Sequence, residues 1–264
     1  MLVLSQATLA KVEDLFHYKK QGFSLDYFPG YSDDQWGIKA HNRPWIEAVG
    51  KFESGQKIIE VGGAYSLLPK YLSDKYALEA WIADDFGRNG NEDCWSRWGD
   101  PDKLPIKYPT INYTFENFGG NSEKHPSCYF DRIYSVSTLE HISENKRLAV
   151  IKDMNRCLKK GGMQLHTIDV SMPSLSSLLL GILSSQCNLF KPSSLKRNHS
   201  IMKWIKLFEL SGAVVKCELP GPLDLINRET LVESPDVVYR FYPPNNEPKN
   251  YNPEASLLLV IEKV

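Results

Sequence analysis

From Lys57 onward, short apolar runs alternate with segments of helical periodicity, and this alternation limits the possible folds more than any other feature of the sequence. Apolar runs separated by helices predict a parallel sheet that is covered by helices on both faces. The predicted strands are "KIIEV" (57–61), "ALEAWIA" (77–83), "INYTF" (111–115), "FDRIYSV" (130–136), "MQLHTID" (163–169), "AVVKCEL" (213–219) and "SLLLVIEKV" (256–264). We therefore expect an α/β fold with a seven-stranded, mostly parallel sheet. Helices are predicted between the strands, at 67–73, 144–160 and 200–212.

The length and composition fit one globular domain. The chain has 264 residues, of which 42% are hydrophobic. We divide it into an N-terminal helical cover (1–56), a core (57–169) and two insertions (170–200 and 220–255). Lys and Arg (31) nearly balance Asp and Glu (32), so we expect neither a nucleic acid nor a membrane as partner. The composition favours a small-molecule or protein substrate. It does not distinguish a monomer from an oligomer.

The cysteines and the termini favour a cytoplasmic location. Five cysteines are spread along the chain without a CxxC pair, which is typical of a reduced protein. The N-terminus lacks the basic region of a signal peptide, and the longest apolar run elsewhere, "LLLGIL" (178–183), is too short to cross a bilayer. His125 and Cys128 have a metal-like spacing but no second pair, so we predict no metal site.

Two long segments follow predicted strands, at 84–110 and 171–199, and a third, rich in proline and asparagine, precedes the last strand. Open parallel sheets bind ligands at the carboxyl ends of their strands. We interpret the first two segments as walls or a lid over a site; surface decoration is the alternative.

The turn after the first predicted strand, "IIEVGGAYS", is the strongest local sign of a ligand site. Gly62 and Gly63 permit positive φ and leave the backbone bare, and the following helix presents free N–H groups, a geometry that favours an anion. The stretch lacks the later glycines of a dinucleotide motif and the Gly-Lys-Ser/Thr of a phosphate loop. Taken alone, it fits a structural turn as well as a binding site.

Three motifs, taken together, resemble those of Rossmann-like (class I) S-adenosylmethionine-dependent methyltransferases. "IIEVGGAYS" resembles their first motif, "FDRIYSVSTLEHI" (130–142) their fourth-strand motif, and "NRCLKKGGMQLHTID" (155–169) their fifth-strand region. The final "SLLLVIEKV" resembles the antiparallel last strand of that fold. The departures from the family are Ala64 and Ser66, where glycines are usual.

The resemblance implies S-adenosylmethionine as the cofactor and 57–169 as the cofactor-binding core. It assigns the methionine part to the backbone of Gly62, Gly63 and Ala64, with Glu60 receiving the amino group. It also assigns the ribose to Asp84 or Asp85. The further cofactor residues that it implies are Glu116 or Asn117 for the adenine, and Ser137 and Glu140.

Methyl transfer from a sulfonium is an in-line displacement, and an oxygen nucleophile also needs a base. His166 and Asp169 are the candidate bases, with His141 a further candidate that packing beside the cofactor would explain equally well. His166 also fits a packing role within its strand, and Asp169 fits a turn cap.

We expect an enzyme that methylates a small molecule, such as a sugar or a secondary metabolite. The alternative is a catalytically inactive, methyltransferase-like binding subunit. A nicotinamide-dependent oxidoreductase is disfavoured by the missing glycines.

Overall fold

The computed structural model describes residues 1–21, 37–88, 99–171, 199–221, 224, 227–233 and 254–264. Much of the predicted lid, including 89–98 and 172–198, lies outside these residues, as does 234–253 of the third long segment, so the lid stays a prediction. Among the described helices, none is long and apolar enough to cross a membrane.

Strands and helices alternate in the order that the sequence predicts. The strands are β1 (Leu2–Leu9), β2 (Lys57–Val61), β3 (Glu79–Ala83), β4 (Ile111–Thr114), β5 (Phe130–Val136), β6 (Leu158–Ser171), β7 (Ala213–Val215), β8 (Val232–Glu233) and β9 (Glu254–Lys263). The helices are α1 (Val12–Lys20), α2 (Gly37–Gly50), α3 (Leu68–Tyr76), α4 (Leu104–Lys107), α5 (Glu144–Cys157) and α6 (His199–Leu210). Each of the seven predicted strands is present, although several begin or end a few residues from the predicted bounds.

The strands form one sheet in the order β4-β3-β2-β5-β6-β9-β1-β7, and β8 adds a short pairing to β9. All neighbouring pairs within β4-β3-β2-β5-β6 are parallel, as is the pair β1–β7. Strand β9 runs antiparallel to both of its neighbours, β6 and β1. The mostly parallel sheet with an antiparallel last strand is therefore confirmed, with eight strands along the main path rather than seven.

The extra strand corrects the prediction that 1–56 is a helical cover. Residues 2–9 form β1, which lies between β9 and β7, whereas α1 and α2 are helical as expected. Val3, Leu4 and Ala7 are buried because the sheet carries helices on both faces. Leu2–Leu9 pair with β9 and Leu2–Leu4 also pair with β7, so this apolar stretch joins the two strands in one sheet.

Two apolar cores lie on opposite faces of the sheet. On one face, α1, α2 and α3 cover the even-numbered side chains of β2 and the odd-numbered ones of β6, including Ile58 and Leu165. On the other face, α5 and α6 cover Ile59 and Ile168. The carboxyl ends of β2, β3, β5 and β6 meet at one edge, where the candidate site lies.

Candidate functional site

The turn after β2 has the bare backbone that its glycines predict. Gly62 has φ +70°, and its N–H donates to the Ala83 carbonyl oxygen at 2.8 Å. A Cβ atom on Gly62 would lie 2.0 Å from Thr138 Cγ2, in the loop after β5. Glycine is thus required here by a neighbouring side chain as well as by φ. At Gly63, an added Cβ would lie 3.0 Å from Glu60 Cγ.

Asp84, at the end of β3, holds this turn in place. One of its carboxylate oxygens accepts the Ala64 N–H at 3.0 Å, and the other accepts the Phe86 N–H at 2.7 Å. Ala64 has φ +42°, where glycine is usual, so the Asp84 bond stabilises a conformation that costs alanine energy. Burial raises the pKa of Asp84 to about 6. Asp85 is only half-buried, and its Oδ1 accepts the Gly87 N–H at 3.0 Å.

Glu60 lies directly under the glycine turn on the α2 face of the sheet. Its side chain is almost fully buried, at 2% exposure, and its Oε2 has no hydrogen-bond partner. Burial raises the pKa of Glu60 to about 7, although the nearby Arg43 guanidinium acts in the opposite direction. Tyr134, the β5 neighbour of Glu60 in the sheet register, is also buried, and its hydroxyl has no partner. A buried carboxylate with an unsatisfied oxygen is unusual and indicates a place for a polar ligand.

A second group of polar side chains lies at the ends of β5 and β6. Asp169 Oδ1 accepts a hydrogen bond from Ser137 Oγ at 2.8 Å, and Oδ2 forms an ion pair with Lys39 Nζ at 3.0 Å. Asn42 Nδ2 donates to Ser137 Oγ at 3.4 Å. Lys39 and Asn42 belong to α2, so this helix and the two strand ends hold Asp169 in a fixed geometry while its side chain keeps 12% exposure.

Glu140 lies next to Asp169. Its Oε1 accepts the Asp169 N–H at 3.3 Å, and its Oε2 has no partner. Burial, together with the charge of Asp169, raises the pKa of Glu140 well above its usual range. The His141 side chain is 78% exposed and its Nε2 lies 4.0 Å from Glu140 Oε1, so it borders this group from the solvent side, and its role as a base stays a prediction.

His166 lies away from this edge, which argues against it as the base. Its side chain is fully buried on the α6 face, bonded to Ser135 Oγ (2.9 Å) and Gln164 Oε1 (3.0 Å) and stacked on Phe208. Burial lowers its pKa to about 3. The neighbouring residues of β6 alternate between faces, so His166 and Asp169 are directed to opposite sides of the sheet.

The residues predicted to meet the adenine occupy the loop after β4. The Glu116 carboxylate accepts hydrogen bonds from Ser122 Oγ and Lys124 Nζ, each at 2.6 Å, and Asn117 is exposed. Their role stays a prediction. His125 is stacked on Phe118, and the described residues contain no cluster of three or more metal-ligating side chains.

Three site residues were missed in the sequence, and all belong to α2: Lys39, Asn42 and Arg43. Asn42 and Arg43 are buried although they are polar. The available signal was the run "HNR" inside an otherwise amphipathic helix, because polar residues on a buried helix face need partners there.

Comparison with known proteins finds similarity in structure only. No family model and no curated protein matches the chain. The YcgJ protein from Bacillus subtilis is 14% identical, with a TM-score of 0.52 over 85% of this chain and 99% of that one. The MccD protein is 13% identical, with a TM-score of 0.50 over 88% and 100%. A putative S-adenosyl-L-methionine-dependent methyltransferase from Methanococcus maripaludis is 12% identical, with a TM-score of 0.47 over 95% and 94%.

Proposed function

We propose that the chain transfers a methyl group from S-adenosylmethionine to a small molecule, because its mostly parallel sheet with an antiparallel last strand is the Rossmann-like methyltransferase fold that its three sequence motifs predict. The observation that carries the proposal is the buried Glu60 carboxylate, with an unpaired oxygen, against the bare backbone of Gly62 and Gly63. A fold alone does not determine function, so the proposal depends on this site.

The residues at the edge of the sheet fit the proposed cofactor. Glu60 offers an acceptor for its ammonium group, and Gly62 to Ala64 offer backbone contact. For the ribose we favour Asp85 over Asp84, because Asp84 is buried beneath the turn that it holds, whereas Asp85 is half-buried and more accessible to a ligand. Ser137 and Glu140, predicted as further cofactor contacts, belong to the adjacent network around Asp169.

Asp169 is the residue best suited to take a proton from the acceptor. The bound cofactor supplies a methyl group already activated on a sulfonium, so the protein must orient the acceptor and, for an oxygen nucleophile, remove its proton. Ser137 and Lys39 fix the two Asp169 oxygens, each of which keeps a lone pair for a proton. The raised pKa of Glu140 favours the neutral form of its own carboxyl group, which lies beside Asp169.

Calorimetric titration tests the cofactor assignment. We expect S-adenosylhomocysteine to bind with micromolar affinity, NAD not to bind, and Asp85→Asn to weaken binding at least tenfold. Asp74→Asn is the matched control, because Asp74 forms an exposed ion pair with Lys70 on α3. Failure of the wild type to bind S-adenosylhomocysteine would refute the proposed function.

Turnover is tested with methyl-labelled cofactor and a panel of small alcohols, sugars, phenols and amines. We expect transfer to at least one class of acceptor, reduced at least a hundredfold by Asp169→Asn with cofactor binding retained. Binding without transfer to any acceptor would instead favour the catalytically inactive binding subunit.

A further inference from the structure

We propose that Glu60 is protonated in a large fraction of the free protein and becomes a carboxylate when the ammonium group of the cofactor binds beside it, so that cofactor binding releases a proton. This inference rests on the proposed function. Glu60 then forms a subsite for the amino-acid end of the ligand. The charge of the Glu60 side chain depends on whether that subsite is occupied.

Glu60 is buried near the end of β2, against the glycine turn. The residue is the last but one of β2, its exposure is 2%, and a Cβ on Gly63 would touch its Cγ at 3.0 Å. Its Oε2 is shielded from solvent and has no hydrogen-bond donor. An ionised carboxylate in that state lacks both hydration and a full set of donors, so its neutral form is favoured until a donor arrives.

The groups around Glu60 do not remove this preference. Arg43, from α2, favours the charged form, whereas the Asp84 carboxylate favours the neutral form. The Ser66 and Tyr134 hydroxyl groups also lie near Glu60 and favour its charged form, but the Tyr134 hydroxyl is not in hydrogen-bond geometry with it, so Oε2 stays without a donor. Desolvation is the largest effect, and it raises the pKa of Glu60 to about 7. The cation supplied by a ligand would reverse that balance.

The proton balance is simple. The protonated Glu60 carboxyl group loses its proton to solvent, and the resulting carboxylate pairs with the ligand R–NH₃⁺, which keeps its own three protons. If the pKa falls well below neutrality on binding, the released fraction equals the fraction protonated before binding. For a pKa near 7 this is about 0.9 proton at pH 6, about 0.5 at pH 7 and about 0.1 at pH 8.

The test is calorimetry of S-adenosylhomocysteine binding in buffers of different ionisation enthalpy at each of these pH values. The slope of observed enthalpy against buffer enthalpy gives the number of protons released. We expect about 0.5 at pH 7, with an affinity that rises about fivefold from pH 6 to pH 7 and about twofold from pH 7 to pH 8. 5′-Methylthioadenosine, which shares the nucleoside thioether but lacks the amino-acid end, should bind without proton release.

Two variants locate the proton. Glu60→Gln keeps the shape of the side chain and should remove the release, whereas Asp74→Asn, the exposed control on α3, should keep it. Proton release with methylthioadenosine, or from Glu60→Gln, would overturn the assignment to Glu60. Tight binding of S-adenosylhomocysteine to the wild type with no release at pH 6 would overturn the inference while leaving the proposed function intact. The two ligands are compared on the unmodified protein, so the test does not depend on whether a variant folds.

Discussion

Replacing Gly62 with alanine should destabilise the protein for two separable reasons. The left-handed φ of +70° costs alanine roughly 1–2 kcal/mol. The new Cβ would also lie 2.0 Å from Thr138 Cγ2, and relieving such an overlap in a packed region costs about 1–3 kcal/mol. We therefore expect the free energy of unfolding to fall by about 2–5 kcal/mol for Gly62→Ala.

A second glycine provides the matched control. Gly55 has a similar φ of +81°, but no atom lies within 4 Å of a Cβ built on it. Gly55→Ala should therefore show the conformational cost alone, about 1–2 kcal/mol. Adding Thr138→Ala to Gly62→Ala removes the contact with Cγ2 at 2.0 Å but leaves the Cβ atom of residue 138 at 2.9 Å, so it should recover part of the steric cost, about 1–2 kcal/mol, relative to the sum of the single changes.

Urea denaturation at constant pH measures these free energies, and unchanged m-values would confirm that the same folded state is compared. The reasoning is refuted if Gly62→Ala costs no more than Gly55→Ala, or if Thr138→Ala recovers nothing. Titration of the double variant with S-adenosylhomocysteine adds a second answer. If the double variant regains stability but not affinity, glycine is needed at position 62 for the approach of the ligand and not only to avoid the Thr138 side chain.

Three further predictions follow from the pKa shifts, the ion pair and the strained turn. Burial lowers the pKa of His166 to about 3 in the folded state, below its unfolded value of about 6.5. Its contribution to the free energy of unfolding is therefore complete above pH 6.5 and falls by about 1.4 kcal/mol per pH unit as the pH drops below that value. Urea denaturation of His166→Gln at pH 4–7 should show a correspondingly flatter dependence of stability on pH. Lys39→Met should lose about 2–4 kcal/mol, because it leaves the largely buried Asp169 carboxylate without its cation, and Lys39→Arg should keep most of the stability in the same assay. Ala64→Gly should change the free energy of unfolding by less than about 1 kcal/mol, because relief of the positive φ offsets the greater backbone freedom of glycine; a loss above 2 kcal/mol would contradict this.

The sequence predicted best those elements whose stability is decided locally. Strands β2 and β5, with continuous apolar runs beside turn signals, match their predicted bounds. Strand β1 was missed because its buried positions follow no simple alternation, and its partner β9 lies about 250 residues away in the chain. Helical periodicity likewise predicted no inward role for Lys39 or Asn42, since their partners are brought to α2 only by the folded sheet.

For the base, proximity in sequence was a poor guide. His166 and Asp169 are three residues apart and looked equivalent as candidates. Strand geometry separates them, because positions an odd number apart lie on opposite faces. In the structure, Met163 and Leu165 pack on the α2 face, so Asp169, an even number of residues away, lies on that face and His166 on the other.

The place of β1 in the sheet has a consequence for how the protein is made. Ribosomal synthesis delivers β1 first, but both of its hydrogen-bonding neighbours, β7 and β9, emerge from the C-terminal part of the chain. Until they arrive, the apolar segment 2–9 has two open backbone edges, which are a template for pairing with other chains. The β4-β3-β2-β5-β6 half of the sheet can assemble earlier, so closure by β9 should be the late and slow event, governed by the longest sequence separation in the fold. A chain stalled before β9 would carry a largely complete glycine turn together with an exposed sheet edge, and protection of that edge by chaperones would then determine the yield of folded protein.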